Sequence, residues 1–374
     1  MNPGVVVKLR PTGPWRIGSD SGARNQVDSI YHSDSLYSAI TAAMSHLGFL
    51  EEWLDATSRN VAGPAVSFSS LFPFQDQIGF VPPPRSIWPP PAGVQGKASK
   101  TRWKSARLIP LGVVGALIAG HVLDEEQWTV DGTSQCLVPV GAHGPFRVGV
   151  RWNAAVDRLT GCSERHASAC LEFRPGAGLW AVISFAGDEE FHRWSAPLRG
   201  AFRLLADSGF GGERSRGWGR AAEPEFIDGV LPDMILPPQS SNPAIPAETP
   251  AAAPVDGSAA APPSESGAME EEPAARQLPA TANWLLSLFA PAPDDAVDWA
   301  LGNYAVLARG GRIDSPVRSG ELKKELRMIT EGSVIYAARP IRGCAPDVAP
   351  DGFPHPVFRS GFALAIPIQL SVAS

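Results

Sequence analysis

Five glycines and three arginines crowd into one short segment, Gly209-Phe-Gly-Gly-Glu-Arg-Ser-Arg-Gly-Trp-Gly-Arg220. Glycine lets the backbone turn through positive φ and lets another chain approach its N–H groups with no Cβ in the way. Arginine offers planar, permanently charged donors that suit phosphate oxygens. Such a loop, expected between a helix and a strand, can seat a nucleic-acid backbone. A surface turn with solvated arginines is the competing reading, and the loop alone leaves both open. N–H groups around Gly211, Gly212 and Gly217 could form an anion nest. Arg214 and Arg216, two apart in extended chain, would point the same way and clamp successive phosphates. Trp218 and Phe210 offer rings for base stacking, with core packing the favoured role for Phe210. No G-x-x-x-x-G-K-[ST] or complete G-x-G-x-x-G is present here, and no G-x-S-x-G elbow surrounds Ser215. A nucleotide P-loop and a dinucleotide fingerprint are thereby excluded as written.

A second basic stretch, Lys97, Lys100, Arg102, Lys104 and Arg107 around Trp103, contains no acid. It reads either as a solvated face or as a polyanion contact. Arg10 and Arg16 lie on and just after the first expected strand and could line the same surface. His32 next to Ser33 and Asp34 raises acid–base chemistry, but helix capping by Ser33 and Asp34 is the favoured reading. Asp157 raises a similar question, with an ion pair to Arg158 favoured. Cys162-x-x-x-His166-x-x-x-Cys170 is the only cluster with a metal flavour, and it lacks both a C-x-x-C knuckle and a fourth ligand. No metal and no cofactor is expected.

The elements that must position these residues follow from periodicity. Val5 to Arg10 alternates as a strand, and Leu36, Ile40, Met44 and Leu47 stripe a helix from about Asp34, capped by Ser33 and ended by Gly48. Ala65 to Phe74 and Ile78 to Val81 read as a short extended pair. Cys170 to Phe173 and Leu179 to Phe185 read as a hairpin, and Ala196 to Asp207 as a helix capped by Ser195 with Pro197 in its first turn. Ala221 to Ile227 supplies the last strand. Strand, helix, two strands, helix, strand is the ferredoxin-like order. Beyond it, Trp284 to Phe289, Tyr304 to Ala308, Ser333 to Ala337 and Phe362 to Leu370 are strand-like, which suggests a second, more degenerate α+β unit.

The chain has 374 residues and a formal charge of −6, ample for two domains. The stretch from Pro237 to Ala282, rich in Pro, Ala, Ser and Glu, carries six acids and one base and so holds −5 of that charge. It cannot bury enough apolar surface to offset its ordering entropy and reads as a disordered linker. The remainder is near neutral, so basic patches are possible. Four scattered cysteines do not form a disulfide framework, no signal peptide is visible, and a cytoplasmic protein is expected.

Several segments, in order, resemble the RAMP superfamily of CRISPR-Cas proteins, and within it the subunit-four family of the type III-A (Csm) interference complex. They are His32-Ser-Asp-Ser-Leu36, Ser69-Ser-Leu-Phe-Pro73 with Phe80-Val-Pro-Pro83, Arg151 to Gly161, the glycine loop, Glu331-Gly-Ser333, and His355 to Gly361. Ser35 departs from the family's usual threonine, and the linker is an elaboration. The resemblance implies tandem ferredoxin-like (RRM-like, RAMP) domains: 1–232 with an insertion over about 84–165, a linker at 233–281, and 282–374. It implies a non-catalytic RNA-binding subunit, not an enzyme. Its partners would be the crRNA 5′ handle, the large signalling polymerase subunit and a neighbouring backbone RAMP subunit, with no membrane and no direct DNA contact. Expected RNA contacts are Gly209, Gly211, Gly212, Arg214, Ser215, Arg216, Gly217, Trp218, Gly219, Lys97, Lys100, Arg102, Lys104, Arg107, Arg10, Arg16 and His32. An endoribonuclease of the same superfamily, processing CRISPR RNA, is the alternative.

Overall fold

The computed structural model describes residues 2–18, 23, 25–90, 103–237, 280–315 and 317–369. Lys97, Lys100, Arg102 and most of the expected linker lie outside them.

The chain begins with β1 (Asn2–Leu9), α1 (Ser33–Leu47), α2 (Leu50–Ala56), β2 (Val66–Phe68), β3 (Phe72–Gln75) and β4 (Ile78–Val81). An excursion follows: β5 (Ile109–Pro110), α3 (Leu111–Ile118), β6 (Trp128–Val130), β7 (Leu137–Pro139), β8 (Phe146–Val156) and β9 (Ser163–Phe173). The chain then returns through β10 (Ala177–Phe185), α4 (Asp188–Ser208) and β11 (Glu225–Leu231). The strand order is β11-β1-β10-β3-β4-β5, with β2 also on β10, and every pairing is antiparallel. Taking β2 and β3 as the second strand, this is the 4-1-3-2 sheet of a ferredoxin-like domain.

The second half contains β12 (Thr281–Leu285), β13 (Val297–Asn303), β14 (Val306–Arg309), β15 (Leu326–Ile329), β16 (Val334–Ala337) and β17 (Ala365–Ile368). Its sheet runs β13-β16-β12-β17, again antiparallel, and β14–β15 form a separate ribbon. Numbered by appearance this is 4-1-3-2 once more, although among the described residues no helix occupies its crossovers. The fold is tandem ferredoxin-like, the second copy reduced to its strands.

Local sequence explains most of the elements. α1 buries Leu36, Tyr37, Ile40, Ala43 and Met44, the stripe a 3.6-residue period produces. Gly48, at φ 84, ends it, and Phe49 N–H reaches back to the Met44 carbonyl at 2.9 Å. The expected Ser33 cap is not formed: the helix starts at Ser33, and the flanking position is His32, without a side-chain cap. α4 begins eight residues earlier than expected, at Asp188, after Gly187. Three acids in its first turn complement the helix dipole, so Pro197 falls inside the helix rather than at its start. Burial of Trp194, Leu198, Ala201, Phe202 and Leu205 offsets the backbone bond that proline removes. The expected hairpin of 170–173 with 179–185 is not formed either. β9 pairs over eleven positions with β8, while β10 takes β1, β2 and β3 as partners.

The N-terminal sheet is covered on both faces. Val5, Val7 and Leu9 pack with Leu36, Ile40, Leu198 and Phe202 on the helical side. On the other side Phe72, Phe80, Trp180 and Val182 share a core with Trp284, Leu286, Val334, Ile366 and Ile368 of the second sheet. Trp103, the aromatic of the basic run, is buried in that same core beside Trp88.

Candidate nucleic-acid interface

The glycine loop is folded on itself. Gly209, Gly211, Gly217 and Gly219 all have φ between 78 and 90, a region costly for any residue with a Cβ. A Cβ on Gly219 would lie 2.0 Å from the Phe210 carbonyl, and one on Gly209 2.6 Å from the Trp218 carbonyl. These glycines therefore serve the loop's own closure. Gly212 N–H is bonded to Arg16 O, Gly217 N–H to Arg214 O and Gly219 N–H to Pro14 O. With Gly212 and Gly217 so engaged, the expected nest is not assembled.

Arg214, Ser215 and Arg216 form a single 3₁₀ turn instead of extended chain, and residues two apart on such a turn diverge. Arg214 points toward the second half, where Nη2 meets Asp314 Oδ2 at 3.3 Å. Arg216 pairs with Glu213 and approaches His166 Nε2 at 3.4 Å. Both guanidinium groups remain solvent-accessible, as does Ser215. Trp218 is only 8% exposed, so it supports the loop rather than presenting a ring face. Phe210 is buried edge-on against Trp15 and Tyr31, as favoured from the sequence.

The flanking cations divide. Lys104 and Arg107 are exposed, and Arg107 Nη2 lies 3.6 Å from Asp28, whose N–H is bonded to Ile17 O beside Arg16. That brings Arg107 toward the glycine loop. Arg10 is exposed and paired with Glu225. Arg16 is a correction: it is buried and gives its guanidinium to the carbonyls of Ala169 (2.8 Å) and Ala23 (3.0 Å). Its role is to hold the loop and β9 together.

His32 is the second correction. It is buried where the two halves meet, with Nδ1 2.8 Å from Glu331 Oε1 and Nε2 3.5 Å from Asp28 Oδ2. Burial disfavours the imidazolium, but Glu331 and Asp28 hold its pKa up to about 10. Ser70 Oγ donates to Glu331 and accepts from Ser33 N–H, while Ser33 Oγ accepts Leu288 N–H at 3.0 Å. Asp34 receives Arg309 at 3.0 Å and also Arg359. Burial opposes its ionisation, yet Arg309 and Arg359 hold the carboxyl down at about 2. Gly332, at φ 80, packs where a Cβ would meet the Pro83 carbonyl at 2.9 Å. The segments containing His32, Ser70, Pro83, Glu331 and Arg359, far apart in sequence, thus converge on one buried junction. Their use as a joint was not visible from their sequence alone.

β8 and β9 form a ribbon in which Arg147 and Arg151 both pair with Glu172, and Trp152 is 71% exposed. The expected Asp157–Arg158 pair is replaced by a turn: Asp157 accepts Leu159 N–H and the Thr160 hydroxyl, each at 2.8 Å. Cys162, His166 and Cys170 are spread along one extended segment, four residues and about 13 Å apart at each step, so they do not converge. Among the described residues no group of three or more His, Cys, Asp or Glu is placed to hold a metal, and no helix is long and apolar enough to cross a membrane.

Residues 279–368 match the family model described as the CRISPR Csm4 C-terminal domain. A chain of the crystal structure of a Csm1–Csm4 cassette in complex with cA4 is similar over 99% of both chains, at 18% identity and a TM-score of 0.53. A chain of the Csm3–Csm4 subcomplex in the type III-A CRISPR-Cas interference complex is similar over 98% of this chain and 99% of that one, at 15% identity and a TM-score of 0.57. No curated protein sequence matches the chain. Residues 279–368 thus carry a Csm4 C-terminal domain, joined through the buried junction to a ferredoxin-like first half, and the chain as a whole has a fold similar to that of chains in solved Csm4-containing complexes.

Proposed function

We propose that the chain is a non-catalytic structural subunit of a type III-A CRISPR effector complex in the cytoplasm. It grips the 5′ handle of the crRNA and bridges the large signalling polymerase subunit to a backbone RAMP subunit. The observation that carries this reading is the Csm4 C-terminal domain at 279–368. Solved relatives of the same fold occur with Csm1 and with Csm3, the two kinds of neighbour proposed here. Arg214, Ser215, Arg216, Lys104 and Arg107, all exposed, supply donors for a phosphate backbone.

The endoribonuclease alternative draws no support from its two expected residues. A general base must be deprotonated and must reach its substrate. His32 is buried and keeps its proton to about pH 10. Asp157 is spent on its own turn.

Co-expression with a CRISPR array and the neighbouring genes, followed by purification and sequencing of bound RNA, tests the proposal. The expected product is a multi-subunit particle whose crRNAs share one 5′ end, lost when Arg214 and Arg216 are both changed to Ala. Recovery of an RNA-free chain that cuts repeat RNA would overturn it.

A further inference from the structure

The second half carries exposed aromatic rings beside unpaired arginines, a combination the glycine loop lacks. β13 pairs with β16 at Val297, Asp298 and Asn303, but the register shifts between Asp298 and Asn303, so Trp299 to Gly302 bulge outward. Asp298 Oδ1 accepts the N–H groups of Ala300 (3.0 Å) and Leu301 (3.4 Å), which fixes the bulge from within. Bulges re-aim side chains. Here Trp299 and Tyr304 reach the surface, 37% and 39% exposed. The two rings stand edge-to-face with centroids 5.3 Å apart, an arrangement that holds the indole plane.

Beside Trp299 a cavity of about 570 Å³ opens, lined by Pro291, Val306, Ala308, Ile329 and Arg327. Arg327 lies opposite Ala308 on the β14–β15 ribbon and is exposed. Among the described residues its guanidinium has neither an ion pair nor a hydrogen bond. Arg85 is exposed and unpaired in the same sense, and its carbonyl accepts the side chain of Asn303 at 3.0 Å, next to Tyr304.

We infer that this cavity is a seat for one nucleotide of single-stranded RNA, its base against Trp299 and an adjoining phosphate on Arg327. The volume is that of a small-ligand pocket. An aromatic wall over an apolar floor accepts any unstacked base, because every base has a π-face. A guanidinium without a counter-ion matches a phosphate in shape and charge. An apolar side chain from a protein partner would fill the floor but leave Arg327 without an anion, which favours the nucleotide. The inference rests on the RNA-binding reading, at a different surface from the glycine loop.

The test is fluorescence anisotropy of a labelled eight-nucleotide oligoadenylate with the full chain across a salt series. Trp299→Ala should weaken binding about 5- to 100-fold, and Trp299→Phe should recover most of that loss without disturbing the fold. Arg327→Ala should lower the salt slope by about one. Unchanged affinity and slope in all three, with binding still weakened by Arg214→Ala, would overturn this seat and leave the glycine-loop reading standing. Failure of the unaltered chain to bind the oligonucleotide would overturn both. A Trp299→Ala chain that keeps RNA affinity but no longer co-purifies with its neighbouring subunits would assign the surface to protein and overturn the inference.

Discussion

Asp34 and Arg309 form a two-point pair buried between the halves, with Nε to Oδ2 and Nη2 to Oδ1 both at 3.0 Å across 275 positions of sequence. Arg359 adds a contact to the same carboxylate and donates to Gly310 O at 2.7 Å. One acid thus balances two buried arginines. Its loss takes the carboxylate away from both, and breaking a buried pair from one side typically costs about 3–5 kcal/mol. Asp34→Asn should lower unfolding free energy by that order in chemical denaturation. A loss below about 1 kcal/mol would show the junction to be peripheral to folding.

The same junction sets a pH window. Asp28 and Asp34 are held at about 2, in each case against the burial that would raise them, by His32 and Arg107 and by Arg309 and Arg359 respectively. Their contribution is complete above the ordinary carboxylate pKa of 3.8 and disappears as pH falls toward 2. His32 is raised from 6.5 to about 10, so its contribution is full below 6.5 and declines as pH rises through 10. Stability from these groups should peak between roughly pH 4 and 6.5. His32→Gln should flatten the alkaline limb, and an unaltered limb in thermal melts would remove His32 from this role.

Two loop glycines with the same φ of 78 should respond differently to alanine. Gly217 faces open space, while a Cβ on Gly219 would sit 2.0 Å from the Phe210 carbonyl. Gly217→Ala should cost about 1–2 kcal/mol of backbone strain alone, and Gly219→Ala clearly more. Equal losses in paired melts would mean that loop closure does not depend on this contact.

Asp314 lies 3.3 Å from Arg214, so under the proposed RNA-binding role it would compete with a phosphate for that guanidinium. Arg214→Ala should weaken RNA binding and lower the salt slope by about one. Asp314→Ala should do the reverse and tighten binding. If Asp314→Ala weakens binding instead, the pair positions Arg214 rather than restraining it.

Strands and helices with a clean period were legible in the sequence: β1, α1 with its Gly48 stop, and the strand, helix, two strands, helix, strand succession of the first half. The start of α4 was not, because Ser195-Ala-Pro197 imitates a helix opening while the acidic opening turn at Asp188 does the work. The β8–β9 ribbon was missed although Phe146, Val148, Val150 and Trp152 alternate as a strand does; of these four only Phe146 is buried. At the candidate site, the glycines were recognised, but their part in closing the loop was not. They close the loop on Phe210, Trp218 and Arg16, a long-range fit that spacing does not encode. His32 and Arg16 looked available because a charged residue reads as a surface residue until its buried partners, Glu331 and the Ala169 carbonyl, are known.

Among the described residues, no helix covers the second sheet. The apolar face bearing Trp284, Leu286, Val334 and Ile366 is roofed by Phe72, Phe80, Trp180 and Val182 of the first half. The two halves therefore hold each other through a shared apolar core, and their covalent connection raises the effective concentration at which they meet. Separate polypeptides spanning 1–237 and 280–374 should reassemble by fragment complementation, whereas either one made alone would leave a greasy plane uncovered and aggregate. A gene split inside the segment encoding 238–279 would then still yield a working subunit.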